Sequence, residues 1–317
     1  YRGWKGPEVE QIQARLKEMG YYKGPIDGDF GGGTERAVKL YQRFKGLMVD
    51  GKVGPKTWAS LFDGESIPKP AITQKPLVHR CLALTGSFET GRMIPDCFAG
   101  LSGDFDGQGM SFGVLQWNFG QASLQPLLKE MNAGHSGLLQ EIFAEEYEPL
   151  IDVLEAGYDD QMAWVRSIQH PIKHYIYEPW QGFFKTLGRT EEFQNIQTGH
   201  TLNLYQKSLD LGKEYDLWSE RAVALMFDIK VQNGSIRKPV RQQIERDFSR
   251  INPDLDREAL EVERMRIIAK RRAEASKPEW VEDVRSRKLC CANGEGIVHG
   301  INYHLEGQFE ITLRPFS

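Results

Sequence analysis

The sequence DGDFGGGT at residues 27–34 recurs as DGKVGPKT at residues 50–57, so this chain contains an internal repeat. Both copies share the pattern Asp-Gly-x-x-Gly-x-x-Thr. Asp and Gly tolerate turn conformations and Thr is a good helix N-cap, so each copy predicts a tight turn followed by the start of a helix. The repeat therefore predicts two structured loops within a small helical unit.

Apolar residues at helical spacing surround these two loops. One amphipathic helix is predicted before them, from Val9 to Met19, and Gly20 ends it. After each Thr, further apolar residues follow at the same spacing: Ala37, Leu40, Tyr41 and Phe44 in the first copy, Trp58 and Leu61 in the second. The pattern predicts a three-helix unit.

Two segments closely resemble the peptidoglycan-binding domain of many bacterial and phage wall hydrolases: VEQIQARLKEMGYYKGPIDGDFGGGTERAVKLYQRF (9–44) and DGKVGPKTWASL (50–61). The resemblance covers about residues 5–62 and implies wall binding without catalysis. It implies that the two turns bind peptidoglycan through Asp27, Gly28, Asp50 and Gly51. A generic three-helix bundle is the alternative, but packing alone gives no reason for the doubled motif.

The rest of the chain divides into a linker and a larger domain. Residues 63–76, DGESIPKPAITQKP, contain three prolines and no apolar periodicity, which predicts a semi-extended linker. We therefore predict a binding domain at 1–62, a linker at 63–76 and a second domain at 77–317. Helical periodicity dominates that domain, and strand signals occur only at 110–117 and 308–314.

Composition and charge exclude several classes of function. The formal net charge is −4, with no basic excess clustered on one face, so no nucleic-acid partner is predicted. No run of 18 or more apolar residues occurs, so no membrane span is predicted. Four cysteines, Cys81, Cys97, Cys290 and Cys291, form no CxxC pair, and their disulfide state stays open.

Metal or cofactor binding is not predicted. His170 and His174 have the spacing of helical metal ligands, but Pro171 lies between them and no third ligand is evident. We expect a monomer that acts without a cofactor.

Three acidic residues between positions 89 and 106 are the candidate catalytic residues. Glu89 ends LVHRCLALTGSFE (77–89), and Asp104 and Asp106 lie in the glycine-rich stretch SGDFDGQGMSFGVLQWN (102–118). Glycoside hydrolysis usually needs two carboxyl groups, one protonated and one ionised. We predict Glu89 as general acid in an apolar surround and Asp106 as base, with Asp104 as the second choice. Lysozyme-like enzymes use this layout.

The same region resembles the bacterial chitosanase family of the lysozyme superfamily. The resemblance is carried by DGQG (106–109), MSFGVL (110–115), SERAVALMFDIKVQNGSI (219–236) and, more weakly, VRSRKLCCANGEGIVHG (284–300). It implies an inverting mechanism and a mainly α (α+β) fold, in which a lysozyme-like helical domain with a small β-hairpin or sheet follows the three-helix domain. Gln116-Trp117-Asn118 departs from this pattern and resembles the glutamine-ended run of wall-cleaving transglycosylases.

Several residues are candidates for sugar binding. Gln116 and Asn118 are possible hydrogen-bond donors, and Ser111 and Asp228 lie in the matching blocks. The aromatic faces of Trp117, Trp164 and Trp180 could stack on pyranose rings.

The sequence leads us to expect a muramidase-type peptidoglycan hydrolase, such as a phage endolysin or a wall-remodelling enzyme. It would act on glycan strands at the cell wall, in the periplasm or outside the cell. The alternatives are a chitosanase, a lytic transglycosylase that needs only Glu89, and a non-catalytic wall-binding protein.

Overall fold

A three-helix unit opens the fold. The structure is a computed structural model that describes residues 2–316. The first residue of the predicted binding domain, Tyr1, and the last residue of the predicted second domain, Ser317, lie outside the described residues. The unit contains α1 (Pro7–Glu18), α2 (Gly32–Phe44) and α3 (Pro55–Leu61). Its core is formed by buried apolar side chains that include Leu16, Phe30, Tyr41 and Trp58. The predicted three-helix unit is thus present.

The segment after this unit is only partly extended. Residues 65–70 contain no helix or strand, whereas Ala71–Gln74 form a 3-10 helix whose Ile72 is buried in the core of the larger domain. Lys69 also forms an ion pair with Glu310 at 2.8 Å. The predicted domain boundaries at 62 and 76 stay predictions.

The larger domain is mainly helical. Its helices are α4 (Leu77–Thr90), α5 (Gln125–Phe143), α6 (Tyr147–Glu155), α7 (Tyr158–Ser167), α8 (Trp180–Arg189), α9 (Glu191–His200), α10 (Leu202–Lys213), α11 (Glu220–Asn233), α12 (Lys238–Phe248), α13 (Arg257–Glu274), α14 (Val281–Asn293) and α15 (Leu305–Phe309). Together with two small antiparallel sheets, they confirm the predicted mainly α (α+β) class.

The first sheet has three short strands and the second has two. In the first, β1 (Leu101–Ser102) pairs with β2 (Ser111–Phe112), which pairs with β3 (Trp117–Asn118). In the second, β4 (Glu295–Val298) pairs with β5 (Ile301–His304). The strand signal at 110–117 is confirmed in part, because β2 and the start of β3 lie in this range while residues 113–116 form the turn between them.

The strand predicted at 308–314 is wrong. Residues Leu305–Phe309 form α15, and His304 caps this helix by accepting from the backbone N–H of Gly307. The period-two pattern arises because Phe309 and Ile311 are both buried, although residues 310–314 form no strand.

Two separate hydrophobic cores divide the larger domain. The helical lobe is built on α4, α10, α11, α13 and α14 and contains Phe88 and Phe227. The sheet lobe is built on the first sheet and α5–α9 and contains Phe112 and Phe184. Residues 78–88 of α4 are all buried, the polar residues His79 and Arg80 included, so this helix lies inside the core. The end of α4 consequently emerges at the border of the helical lobe.

The structure also answers two questions left by the sequence, on membrane-spanning helices and on the cysteines. Within residues 2–316, no helix is both long and apolar enough to span a bilayer. All four cysteines are buried free thiols.

A buried histidine makes the fold sensitive to acid. His79 on α4 is 3% exposed and shares a 2.8 Å hydrogen bond with Thr198 on α9. Burial disfavours the imidazolium and lowers the pKa of His79 to about 4, with the ammonium of Lys75 acting in the same direction. The unfolded chain therefore binds the proton more readily than the folded chain between the ordinary histidine value and pH 4.

We predict that the free energy of unfolding falls by up to about 3 kcal/mol through this group as the pH falls from near 6.5 toward 4. Urea unfolding at several pH values, with His79→Gln as reference, measures it. The wild type should lose more stability than the variant across this window. Equal losses in the two proteins would contradict the prediction.

Candidate active site

Glu89 is located at the last turn of α4 with more than a third of its side chain exposed. The side chain is 36% exposed, and its Oε1 accepts from the Arg287 guanidinium at 2.7 Å. Phe88, the preceding residue, is fully buried, and the Arg287 guanidinium lies 5.5 Å from the centre of its ring. The predicted apolar surround is therefore only partly correct, because the direct contact of Glu89 is a cation.

A buried ion-pair network holds Arg287 in place. Arg287 is 2% exposed and donates to Oδ1 of Asp228 at 2.6 Å, while Lys288 contacts the other carboxylate oxygen. Burial opposes charge on both sides of this pair, but the opposite charges outweigh it. They raise the pKa of Arg287, and the two cations lower the pKa of Asp228. Arg287 is thus a fixed cation beside Glu89.

The network continues from Lys288 to the protein surface. Lys288 donates to the side-chain carbonyl of Gln232 at 2.6 Å, and the Gln232 amide donates to Asp283 at 2.7 Å. Asp283 in turn pairs with His299, which is 45% exposed at the turn between β4 and β5. Glu89 is thereby connected to α11, α14 and the second sheet through charge-assisted hydrogen bonds.

The prediction that Asp228 contacts the sugar is wrong. Its side chain is fully buried, and both carboxylate oxygens bind cations of α14. Direct contact with substrate is therefore excluded in this structure, and Asp228 acts through Arg287. The sequence did contain a signal, since a lone aspartate within the apolar run AVALMFDI requires a buried cation partner, but Arg287 and Lys288 were missed.

The two aspartates of the glycine-rich loop have different environments. Asp104 is mostly buried: it accepts from the backbone N–H of Gly109 at 2.8 Å and from Arg166 at 3.4 Å. Asp106 is exposed, and its Oδ1 accepts from the backbone N–H of Gln108 at 3.1 Å. Asp104 is committed to holding the loop, whereas Asp106 presents its carboxylate to solvent.

The loop is fixed against the segment that follows α7. The backbone N–H of Asp104 donates to the side-chain oxygen of Gln169 at 2.8 Å. A side chain at Gly103 would overlap both the His174 carbonyl oxygen and Gln169, so only glycine permits this contact. The position of Asp106 is therefore set by close packing at Gly103 and by the two bonds of Asp104.

The sheet residues predicted to bind sugar are largely engaged within the protein. Gln116 has a positive φ of 56°, donates to the carbonyls of Gly100 and Gly113, and accepts from Ser102. Asn118 is 6% exposed, and its side-chain oxygen accepts from the backbone N–H of Gln121. Substrate contact through the Gln116 amide is disfavoured, since both its hydrogens and its oxygen are used in the turn.

Ser111 is 9% exposed and is paired with Asn118 across the sheet.

The candidate tryptophans differ in how far they are buried. Trp117 is half-buried and contacts both cores, whereas Trp180 is 7% exposed and forms an edge-to-face pair with Trp164 at 4.9 Å. Stacking of sugar on Trp180 is therefore ruled out by burial, and sugar contact by Ser111 and Trp117 stays a prediction.

The two repeated turns of the N-terminal unit share one structural device. In the first turn, the Gln13 side chain accepts from the backbone N–H groups of Asp27 and Gly28 and donates to the Asp27 carboxylate at 2.8 Å. In the second, Gln42 accepts from Gly51 and donates to Asp50 at 2.9 Å. One side-chain oxygen of each aspartate, Oδ1, is therefore used to shape its turn, and the predicted contact of these residues with peptidoglycan stays a prediction.

We predict that Gln13→Ala lowers the stability of the N-terminal unit by at least about 2 kcal/mol, because buried backbone donors lose their acceptor. Gln11→Ala is the matched control, since Gln11 is exposed on the same helix. Urea unfolding followed by the near-ultraviolet signal measures the change. Similar midpoints for the two variants would contradict the assigned role of Gln13.

Within the described range 2–316, no cluster of three or more His, Cys, Asp or Glu side chains has the arrangement of a metal site. His170 and His174 do not share a helix, because both lie in the turn region between α7 and α8.

The comparisons with known proteins concern mainly the N-terminal unit. A domain family described as "Putative peptidoglycan binding domain" matches residues 5–61, which confirms the predicted peptidoglycan-binding domain at the N-terminus. The match covers the three helices and both repeated turns.

Three relatives illustrate what the chain is similar to. The N-acetylmuramoyl-L-alanine amidase CwlM of Mycobacterium tuberculosis is 47% identical over 57 residues, covering 18% of this chain and 14% of the relative. The spore cortex-lytic enzyme of Bacillus subtilis is 51% identical over 61 residues, covering 19% and 20%. That of Bacillus cereus is 40% identical over 79 residues, covering 23% and 30%. The chain thus spans less than a third of the length of these relatives.

One solved structure, described as "Chitosanase complex structure", is similar over 72% of this chain and 95% of its own chain. The TM-score is 0.44 and the sequence identity is 15%.

Proposed function

We propose that this chain is a wall hydrolase that cleaves the glycan backbone of peptidoglycan in the manner of a muramidase. The N-terminal domain would hold the wall, and the larger domain would cut it. The observation that carries the proposal is the placement of Glu89 and Asp106 on different lobes of one domain. Glu89 ends a helix of the helical lobe, and Asp106 belongs to a loop packed on the sheet lobe.

The proposed reaction is a single displacement with inversion. Glu89, as general acid, gives a proton to the leaving glycosidic oxygen, while Asp106, as base, takes a proton from the attacking water. A glycan strand bound between the lobes would have one carboxyl on each face of the reacting sugar. An inverting enzyme needs a carboxyl separation of roughly 6.5–9.5 Å to admit the water, and we expect this pair to lie in or above that range.

Arg287 would orient Glu89. Its guanidinium holds Oε1, and the exposed part of the carboxyl remains available to a ligand. Because Asp228 balances much of the charge of Arg287, Glu89 meets a cation that is already paired. The buried network would thereby fix the position of the acid.

The names of the relatives support action at the wall in the broader sense, because they include amidases and cortex-lytic enzymes. We propose the cell wall as the place of action, reached from the periplasm or from outside. Chitosan cleavage and transglycosylation are alternatives that the products of the reaction distinguish.

A direct test incubates the purified chain with sacculi and, separately, with chitosan. We expect loss of turbidity and new reducing ends from sacculi, and little change in chitosan viscosity. The absence of new reducing ends from sacculi would contradict the proposal. Preferential cleavage of chitosan would instead identify the chain as a chitosanase.

We predict that Asp106→Asn lowers turnover by roughly 10²-fold without unfolding the loop. Asparagine retains the side-chain oxygen that accepts from the Gln108 N–H, so the turn is kept while the base is lost. Initial rates of sacculus cleavage measure the change.

Asp159→Asn is the matched control, because Asp159 is an exposed aspartate at the start of α7, outside the loop that carries Asp106. Its turnover should match that of the wild type. Unchanged turnover in the Asp106 variant would remove Asp106 from the mechanism and favour transglycosylation.

A further inference from the structure

An exposed group of aromatic rings lies beside Asp106 and has no assigned role. Phe105, the residue before Asp106, is 71% exposed, and its ring centre is 5.1 Å from that of His174. His174 belongs to the segment 169–177, which returns on itself through an antiparallel bridge between Gln169 and Ile176. We call this segment the aromatic hairpin.

The aromatic hairpin carries a second ring group. Tyr175 is 49% exposed, and its ring centre is 5.1 Å from that of His170 and 5.6 Å from that of Tyr177. Ile172 at the tip is 80% exposed. Exposed apolar side chains grouped on one short segment mark a ligand-binding or interaction site more often than singly scattered ones do.

The hairpin is ordered internally and is fixed to the Asp106 loop. His170 Nδ1 accepts from the backbone N–H groups of Ile172 and Lys173, both at 3.1 Å. In the neutral ring the proton then lies on Nε2, which becomes a hydrogen-bond donor. The close contact at Gly103 joins the hairpin to the loop, so the rings and the Asp106 carboxylate keep a fixed relation.

The chemistry of the group fits a neutral sugar. Aromatic faces provide broad apolar contact for the C–H faces of a pyranose ring, and the nearby Nε2–H can donate to a hydroxyl or acetamido oxygen. The hairpin contains Lys173 and no carboxylate between 169 and 177, so the hairpin itself offers no counter-charge to a polycationic chain.

We infer that Phe105 and the aromatic hairpin form a subsite that stacks an N-acetylhexosamine ring of the glycan, next to the bond being cut. This inference rests on the proposed function for its choice of ligand. It assigns recognition to a segment outside the sheet residues and tryptophans predicted from the sequence.

The test uses the full chain carrying Glu89→Gln, titrated with the β-1,4-linked tetrasaccharide of N-acetylglucosamine. Ring signals of Phe105 and Tyr175 are followed by NMR, which reports this subsite separately from the N-terminal domain. We expect both rings to shift. Each ring reports on the loss of the other. The Tyr175 signal measures the Kd of Phe105→Ala, and the Phe105 signal measures that of Tyr175→Ala. We expect either Kd to rise about tenfold, because one stacked apolar contact is lost.

Tyr158→Ala is the matched control, because the exposure of Tyr158, 55%, lies between those of Tyr175 and Phe105, and Tyr158 lies at the start of α7 outside both segments. Its Kd should equal that of the parent. A parallel titration uses the β-1,4-linked tetrasaccharide of glucosamine. The inference would be overturned if neither ring signal shifts, if the Kd is unchanged in both variants, or if the signals shift only with the glucosamine tetrasaccharide. Sacculus cleavage by the wild type with silent rings would leave the proposed function intact, whereas shifted rings without cleavage would contradict only the proposed function.

Discussion

Glu89→Gln is expected to lower the turnover of wall glycan by roughly 10²- to 10⁴-fold, the usual contribution of a general acid. Glutamine cannot donate the proton that the leaving oxygen needs. It keeps an oxygen for Arg287, so the end of α4 should stay in place. Initial rates of reducing-end release from sacculi measure the effect, and pelleting with sacculi should show unchanged binding through the N-terminal domain.

Glu295→Gln is the matched control for this variant, because Glu295 is an exposed glutamate on β4. Its turnover should match that of the wild type. Near-normal turnover in Glu89→Gln would remove Glu89 from the acid role and would leave wall binding as the main function of the chain.

Asp228→Asn is expected to lower the free energy of unfolding by about 3–5 kcal/mol, the usual effect of breaking a buried ion pair. The substitution keeps the shape of the side chain but leaves the buried cations Arg287 and Lys288 without their carboxylate. Urea unfolding of the larger domain measures it. Turnover should fall as well, because Arg287 would no longer be held beside Glu89.

Asp152→Asn is the control for the loss of one negative charge, since Asp152 is exposed on α6. The double variant Asp228→Asn with Lys288→Met removes one surplus cation and should regain part of the stability. A change of less than 1 kcal/mol in Asp228→Asn, roughly the effect of an exposed pair, would contradict the assigned role of the network.

Local patterns in the sequence were enough to predict the N-terminal domain. Its signals, two turn motifs and amphipathic spacing, lie within short stretches of chain. The Gln13 and Gln42 clamps were missed because each glutamine lies in the helix before its loop, and only the folded structure shows which backbone donors it reaches.

The candidate catalytic pair was also predicted from neighbouring residues, but its setting was not. Arg287 is almost 200 positions from Glu89, and no periodicity links distant residues of this kind. The aromatic hairpin was missed for the same reason, since Phe105 and His174 meet only through the docking at Gly103. The error at 308–314 came from reading alternation as a strand, although burial of Phe309 and Ile311 needed no ladder.

Mass spectrometry of the fragments released from purified sacculi tests the central claim most directly. The account predicts muropeptides with intact stem peptides and new reducing ends that have gained one water per cleaved glycosidic bond. Anhydro-sugar ends would identify a transglycosylase. Free stem peptides with uncut glycan would contradict the claim that this chain is a glycosidase.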